Sequence, residues 1–147
     1  LYSIAENFEK MKKPLNVLLI EDNMIEIMKM NRTVSLLKAK HEITEAKNAE
    51  EALAILETKE NLPDIILLDL NMPKINGIKF LSILKDDPDL KHIPTIILTT
   101  SDNRKDILEC YRIGISGYIL KPLKYEEYVS KIEIALSYWS INELKSA

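Results

Sequence analysis

Ile65-Ile66-Leu67-Leu68-Asp69-Leu70, followed at once by Asn71-Met72-Pro73, decides how this chain folds. An unbroken run of branched apolar residues leaves no polar side for solvent, the pattern of a short strand buried on both faces of a parallel sheet. Asp69 at its end is costly there unless it lies at the mouth of the sheet and meets a partner or a metal. Val17-Leu18-Leu19-Ile20-Glu21-Asp22 repeats the arrangement, so two strands carry acids to their carboxyl ends. Working outward, Leu15 to Ile20, Glu42 to Ala46, Asp64 to Leu70, Thr95 to Thr99 and Tyr118 to Leu120 read as five strands, the second weak and near an edge. Helices alternate with them. Ile27, Met30, Val34 and Leu37 form a stripe at helical spacing, and Asn48 with Glu51 supplies an N-cap and capping-box partner for a helix over Ala49 to Thr58. Further helices follow Gly77, Ser101 and Leu123, with Gly114 suited to a C-cap. The alternation predicts an α/β fold with right-handed crossovers, whose ligands bind outside the carboxyl ends of the strands.

Composition narrows the ligand. The 147 residues suit one domain, and no apolar run approaches the length of a membrane span. A formal charge of -3, with no basic patch in the sequence, argues against direct DNA binding. The single cysteine, Cys110, excludes an internal disulfide and fits a cytoplasmic protein. Cys110 is expected inside the apolar face of the fourth helix, and His41 and His92 are expected at the surface. Residues 1–14 read as an N-terminal extension, partly of cloning origin because Met11 offers a native start, and residues 15–147 as the domain with an extended C-terminal helix.

The only glycines are Gly77, Gly114 and Gly117, none of which follows the first strand, so neither a dinucleotide fingerprint nor a P-loop can form. Glu21, Asp22 and Asp69 crowded together would raise one another's pKa unless a hard divalent cation neutralised them. An all-oxygen set without thiolate or paired imidazole favours Mg²⁺ over zinc. Thr99 and Lys121, ending two further strands, add a hydroxyl and an ammonium to the same rim. Cation, hydroxyl and ammonium are what a transferring phosphoryl group requires, with Asp69 available as nucleophile.

Glu21-Asp22-Asn23, Asp69-Leu70-Asn71-Met72-Pro73, Asn76-Gly77, Thr99 and Gly117-Tyr118-Ile119-Leu120-Lys121-Pro122 together resemble the receiver domain of two-component response regulators. The resemblance covers roughly Leu15 to Trp139. It implies a flavodoxin-like (βα)5 three-layer sandwich with a parallel five-stranded sheet in the order 2-1-3-4-5. It implies that Asp69 accepts a phosphoryl group from a sensor histidine kinase or phosphotransfer protein, and that Glu21, Asp22, Asp69 and the backbone carbonyl of Asn71 hold Mg²⁺. Thr99 and Lys121 then bind the phosphoryl oxygens, Thr99 and Tyr118 form the switch, and Asn71 and Ser101 tune dephosphorylation. Lys121-Pro122 resembles a family site with a cis peptide bond. Two positions depart from the commonest pattern: Asn76 stands for aspartate, and Thr100 stands for alanine, where its bulk narrows access to Asp69.

Two other readings compete with this one. A phosphorylation-independent pseudo-receiver would not need the full acidic and basic set. A haloacid dehalogenase-type phosphatase would carry a second aspartate where Asn71 stands. Past the last strand, Pro122 to Ala147 is enough for one long helix, so the chain reads as a stand-alone receiver that acts by binding. Its Asp-Leu-Asn-Met-Pro and Leu-Thr-Thr-Ser segments resemble single-domain regulators paired with phytochrome-type or hybrid kinases. On that helix Val129, Ile132, Leu136 and Trp139 form the expected core face. Ile134, Tyr138 and Ile141, with Leu144 at the margin, form a second face, which predicts homodimerisation through the fourth and fifth helices and the fifth strand.

Overall fold

The computed structural model describes residues 3–145; the ends of the expected extension and of the C-terminal span lie outside them. The apolar runs become the strands β1 (Asn16–Ile20), β2 (Glu42–Ala46), β3 (Ile65–Leu68), β4 (Thr95–Thr99) and β5 (Gly117–Leu120). They form one parallel sheet in the order β2-β1-β3-β4-β5. This is the flavodoxin-like arrangement, with the two halves of the sheet diverging between β1 and β3. β3 occupies the centre and is buried along its whole length, as its unbroken apolar run requires. The weak second strand lies at an edge, with its polar Glu42, Thr44 and Glu45 exposed and Ala46 fully buried.

Each central strand serves two cores, because successive side chains point to opposite faces. Leu18, Ile20, Ile66, Leu68 and Ile97 pack against α3 (Ala49–Glu57), α4 (Gly77–Asp86) and α5 (Arg104–Ile113). Val17, Leu19, Ile65, Leu67, Ile96 and Leu98 pack against α2 (Met24–Leu36) and α6 (Tyr125–Ser140). At about 1.5–3 kcal/mol for each fully buried large aliphatic side chain, these strands contribute much of the driving force for folding. Cys110 is fully buried on α5, as expected.

The structure differs from the sequence reading in several places. Residues 4–11 form a helix, α1, capped reciprocally by Ser3 and Glu6, although none of its residues is buried. α6 ends at Ser140 instead of running to the chain end. The amide of Asn142 bonds the carbonyl of Trp139 and its side chain bonds that of Tyr138, closing the last turn, while Leu144 folds back onto the core. Leu144 therefore does not belong to the outer face. The core face of α6 is centred on Tyr128, Ile132 and Leu136, with Val129 and Trp139 only half-buried. Neither histidine is a plain surface residue: both are half-buried, and His41 Nδ1 accepts a hydrogen bond from the amide of Leu15 at 3.0 Å.

Candidate functional site

The loops leaving β1, β3, β4 and β5 meet at the carboxyl end of the sheet. The β1 ladder continues into Glu21, whose amide bonds Ala46, and the β3 ladder continues into Asp69, whose amide bonds Ile20. Glu21 and Asp69 thus leave adjacent strands side by side. Asn23 caps α2 by accepting from the amides of Ile25 and Glu26, while its own amide donates to Glu21 Oε2 at 3.2 Å. This cap turns the chain sharply enough to bring the exposed Asp22 round to the same mouth. Ligand atoms of Glu21, Asp22 and Asp69 all lie within 4.8 Å of one another. Three convergent carboxylates are an oxygen donor set suited to a hard divalent cation.

Beyond Asp69, the loop is held by Gly77. Its amide bonds the carbonyl of Leu70, and a Cβ at this position would lie 2.7 Å from both Asp69 O and Leu70 Cα. Asn76 caps α4 through the amide of Lys79. Asparagine caps a helix about as well as aspartate, so the departure at this position leaves the cap intact.

Lys121 follows β5, its amide bonded to the carbonyl of Thr99. Among the described residues no peptide bond is cis, so the Lys121-Pro122 bond is trans, contrary to the expectation. The trans chain still delivers the ammonium: Lys121 Nζ lies 2.5 Å from Glu21 Oε1, 3.6 Å from Asp69 Oδ2 and 3.7 Å from Glu26 Oε2. Burial pushes the Glu21 carboxyl up to about 7 even though Lys121 pulls it down. Burial works against the charge on Lys121, but Glu21 and Asp69 outweigh it and hold its pKa above the usual lysine range. The pocket therefore favours a charged Lys121 beside the buried Glu21 and Asp69.

Thr99 is fully buried at the end of β4. Its Oγ1 accepts from Asn71 Nδ2 and from the amide of Ser101, each at 3.4 Å. Ser101 in turn binds Asp106 through its hydroxyl at 3.0 Å, and its carbonyl accepts from the Tyr118 hydroxyl at 2.7 Å. Asp69 Oδ1 accepts from the amide of Asn71 at 3.2 Å. A continuous chain of contacts thus runs from Asp69 through Asn71, Thr99 and Ser101 to Tyr118. Ile134, Tyr138 and Ile141 lie apart from this site on the exposed side of α6.

The sequence signature of the response regulator receiver domain matches residues 17–133. The chain belongs to that family. As a receiver domain it is a signalling component of two-component systems, in which phosphorylation of an aspartate is typical. Over 131 residues the receiver is 31% identical to the response regulator Rcp1 of Synechocystis sp., an alignment spanning 86% of this chain and 89% of Rcp1. The phosphorylated cyanobacterial phytochrome response regulator RcpA superposes with a TM-score of 0.84 at 31% identity, covering 90% of this chain and 99% of RcpA. The Mn²⁺-bound form of Rcp1 superposes with a TM-score of 0.82 at 29% identity, covering 89% and 99%. Among the described residues of this receiver no helix is long and apolar enough to cross a membrane.

The sequence reading missed Glu26, which adds a third carboxylate beside Lys121, after Glu21 and Asp69. The signal was present in Glu21-Asp22-Asn23 followed by Glu26. Once Asn23 is recognised as the N-cap, a residue in the first turn of α2 lies beside the acids of the strand end.

Proposed function

We propose that Asp69 is the phosphoacceptor of this receiver and that Glu21, Asp22, Asp69 and the Asn71 carbonyl hold Mg²⁺. The observation that carries the reading is the convergence of three carboxylates with the buried ammonium of Lys121 at one end of the sheet. An Asp69 oxygen attacks the phosphorus of a phosphohistidine in line. The P–N bond breaks, and the departing imidazole takes up a proton. The bound cation supplies charge neutralisation for the acids and for the phosphoryl oxygens. Lys121 and Thr99 bind those oxygens, and Asn71 and Ser101 border the approach of the water that later removes the group.

Tyr118 is the second half of the switch. Its hydroxyl is tied to Ser101, two residues beyond Thr99, so movement of Thr99 toward a phosphoryl group changes the strand end that the tyrosine holds. The readout is a binding surface on α5, β5 and α6, through which two copies of the chain associate. The phosphoryl donor is a sensor histidine kinase or phosphotransfer protein in the cytoplasm, and the similarity to a phytochrome response regulator supports a phytochrome-type kinase.

Incubation with Mg²⁺ and acetyl phosphate, followed by intact-mass measurement, tests the chemistry. Addition of one phosphoryl group in the wild type and none in Asp69→Asn is expected. Equal incorporation in both, or none in either, would sink the proposal and favour a pseudo-receiver.

A further inference from the structure

Glu26 has no role in the chemistry proposed above. It lies in the first turn of α2, and its Oε2 is buried without a hydrogen-bond donor. Lys29 is nearby, 3.4 Å from that oxygen, but its ammonium is also held 4.4 Å from the centroid of the Tyr128 ring. The other neighbour is Lys121, 3.7 Å away. Lys121 meanwhile makes its shortest contact, 2.5 Å, with Glu21 Oε1. That carboxylate is required by the proposed cation site, and an ammonium and a divalent cation on one carboxylate repel each other. With a side chain only 7% exposed, Lys121 cannot be displaced into the interior without another anionic partner. Lys29 donates to Glu26 Oε1 at 3.5 Å, which leaves Oε2 accepting no hydrogen bond and within a small side-chain adjustment of Lys121.

We infer that Glu26 is the second berth of Lys121, receiving the ammonium from Glu21 when a divalent cation is bound and keeping it charged beside Asp69 for the phosphoryl group. The inference rests on the reading that Glu21, Asp22 and Asp69 hold the cation. Glu26 is thus a positioning residue that acts through Lys121 without touching the metal. It couples the site to α2 and, through Lys29 and Tyr128, to α6.

Titration with Mn²⁺ alone, followed by electron paramagnetic resonance of the free ion, tests this in the wild type, Glu26→Gln, Lys121→Met and the double variant. Glu26→Gln should weaken Mn²⁺ binding by about fivefold or more, the scale of one lost charge-assisted contact. In the Lys121→Met background the same change should alter binding by less than about twofold, because no ammonium remains to be received. Glu26→Asp, which keeps the charge one methylene shorter, should fall between the wild type and Glu26→Gln, and near-ultraviolet circular dichroism checks that each variant is folded. Equal weakening in both backgrounds would assign the effect to lost charge acting at a distance and overturn the inference, as would no weakening in either. Failure of the wild type to bind Mn²⁺ would remove the cation site itself and the inference with it.

Discussion

Gly77 shows how closely the backbone is drawn together around Asp69. A methyl group there would sit 2.7 Å from two backbone atoms of Asp69 and Leu70, neither of which can swing aside. Gly77→Ala should therefore destabilise the fold by about 1–3 kcal/mol, measured by urea unfolding, and slow labelling by acetyl phosphate because Asp69 moves with the loop. The clustered acids were legible in the sequence because they follow apolar runs, where a charge has no packing role. Glu26 was not, because its helix announces itself by an apolar stripe and the turn that aims the carboxylate is a matter of geometry. His41 was misread for a similar reason: nothing local reveals that its ring accepts the amide of Leu15. Burial, assisted by Lys12, lowers its pKa below the ordinary value of about 6.5. Between the lowered folded value and the unfolded one, the unfolded chain binds more protons, so stability falls as pH drops through that window and is retained above it. Urea midpoints at pH 7.5 and pH 5.5 should differ more in the wild type than in His41→Asn, whose amide oxygen can still accept the Leu15 N–H without titrating.

Among the elements, α1 and α6 give opposite lessons about what sequence signals mean. α1 has a complete capping box and an apolar stripe of Ile4, Phe8 and Met11, yet these residues remain 89%, 41% and 55% exposed. It is helical through local capping and is tied to the body of the protein next to it by the Lys13 amide on Ser140 and the Lys13–Glu143 ion pair. Removal of residues 1–11 should accordingly change unfolding free energy by less than about 1 kcal/mol, since no residue of α1 is buried and both Lys13 contacts remain. α6 depends on burial instead. Leu136 is 1% exposed between α2 and the sheet, and Leu136→Ala should cost about 2–5 kcal/mol, in the range for a buried leucine. The central strands and the helices were readable because burial on both faces imposes unbroken apolar runs on the strands, and burial on one face imposes a period of 3.6 on the helices. The end of α6 was not, because it is set by hydrogen bonds to Trp139 and Tyr138 that no periodicity encodes.

At the scale of the whole molecule, the sheet places the proposed input and the proposed output at different parts of one half. Asp69 lies at the carboxyl end of the central strand, while β5, bonded to β4 through the Thr99–Leu120 register, forms the edge. Tyr118 on β5 spans the two by reaching back to Ser101. Outside it, Leu120 and Ile134, 38% and 69% exposed, line a shallow groove between the edge strand and α6, and Tyr138 and Ile141, 56% and 44% exposed, follow toward the end of that helix. Such a surface is expensive to leave in water, and an edge strand beside it is open to a partner. The proposed homodimer covers both, and its strength depends on the position of the Tyr118 end of β5. Sedimentation should show association that strengthens with Mg²⁺ and beryllofluoride in the wild type. Ile134→Asp changes a largely exposed residue, so it should leave the unfolding midpoint nearly unchanged while shifting the population to monomer. A wild type that stays monomeric at high concentration both with and without the phosphate mimic would exclude the dimer but leave the chemistry of Asp69 standing, since the acidic pocket is complete within one chain.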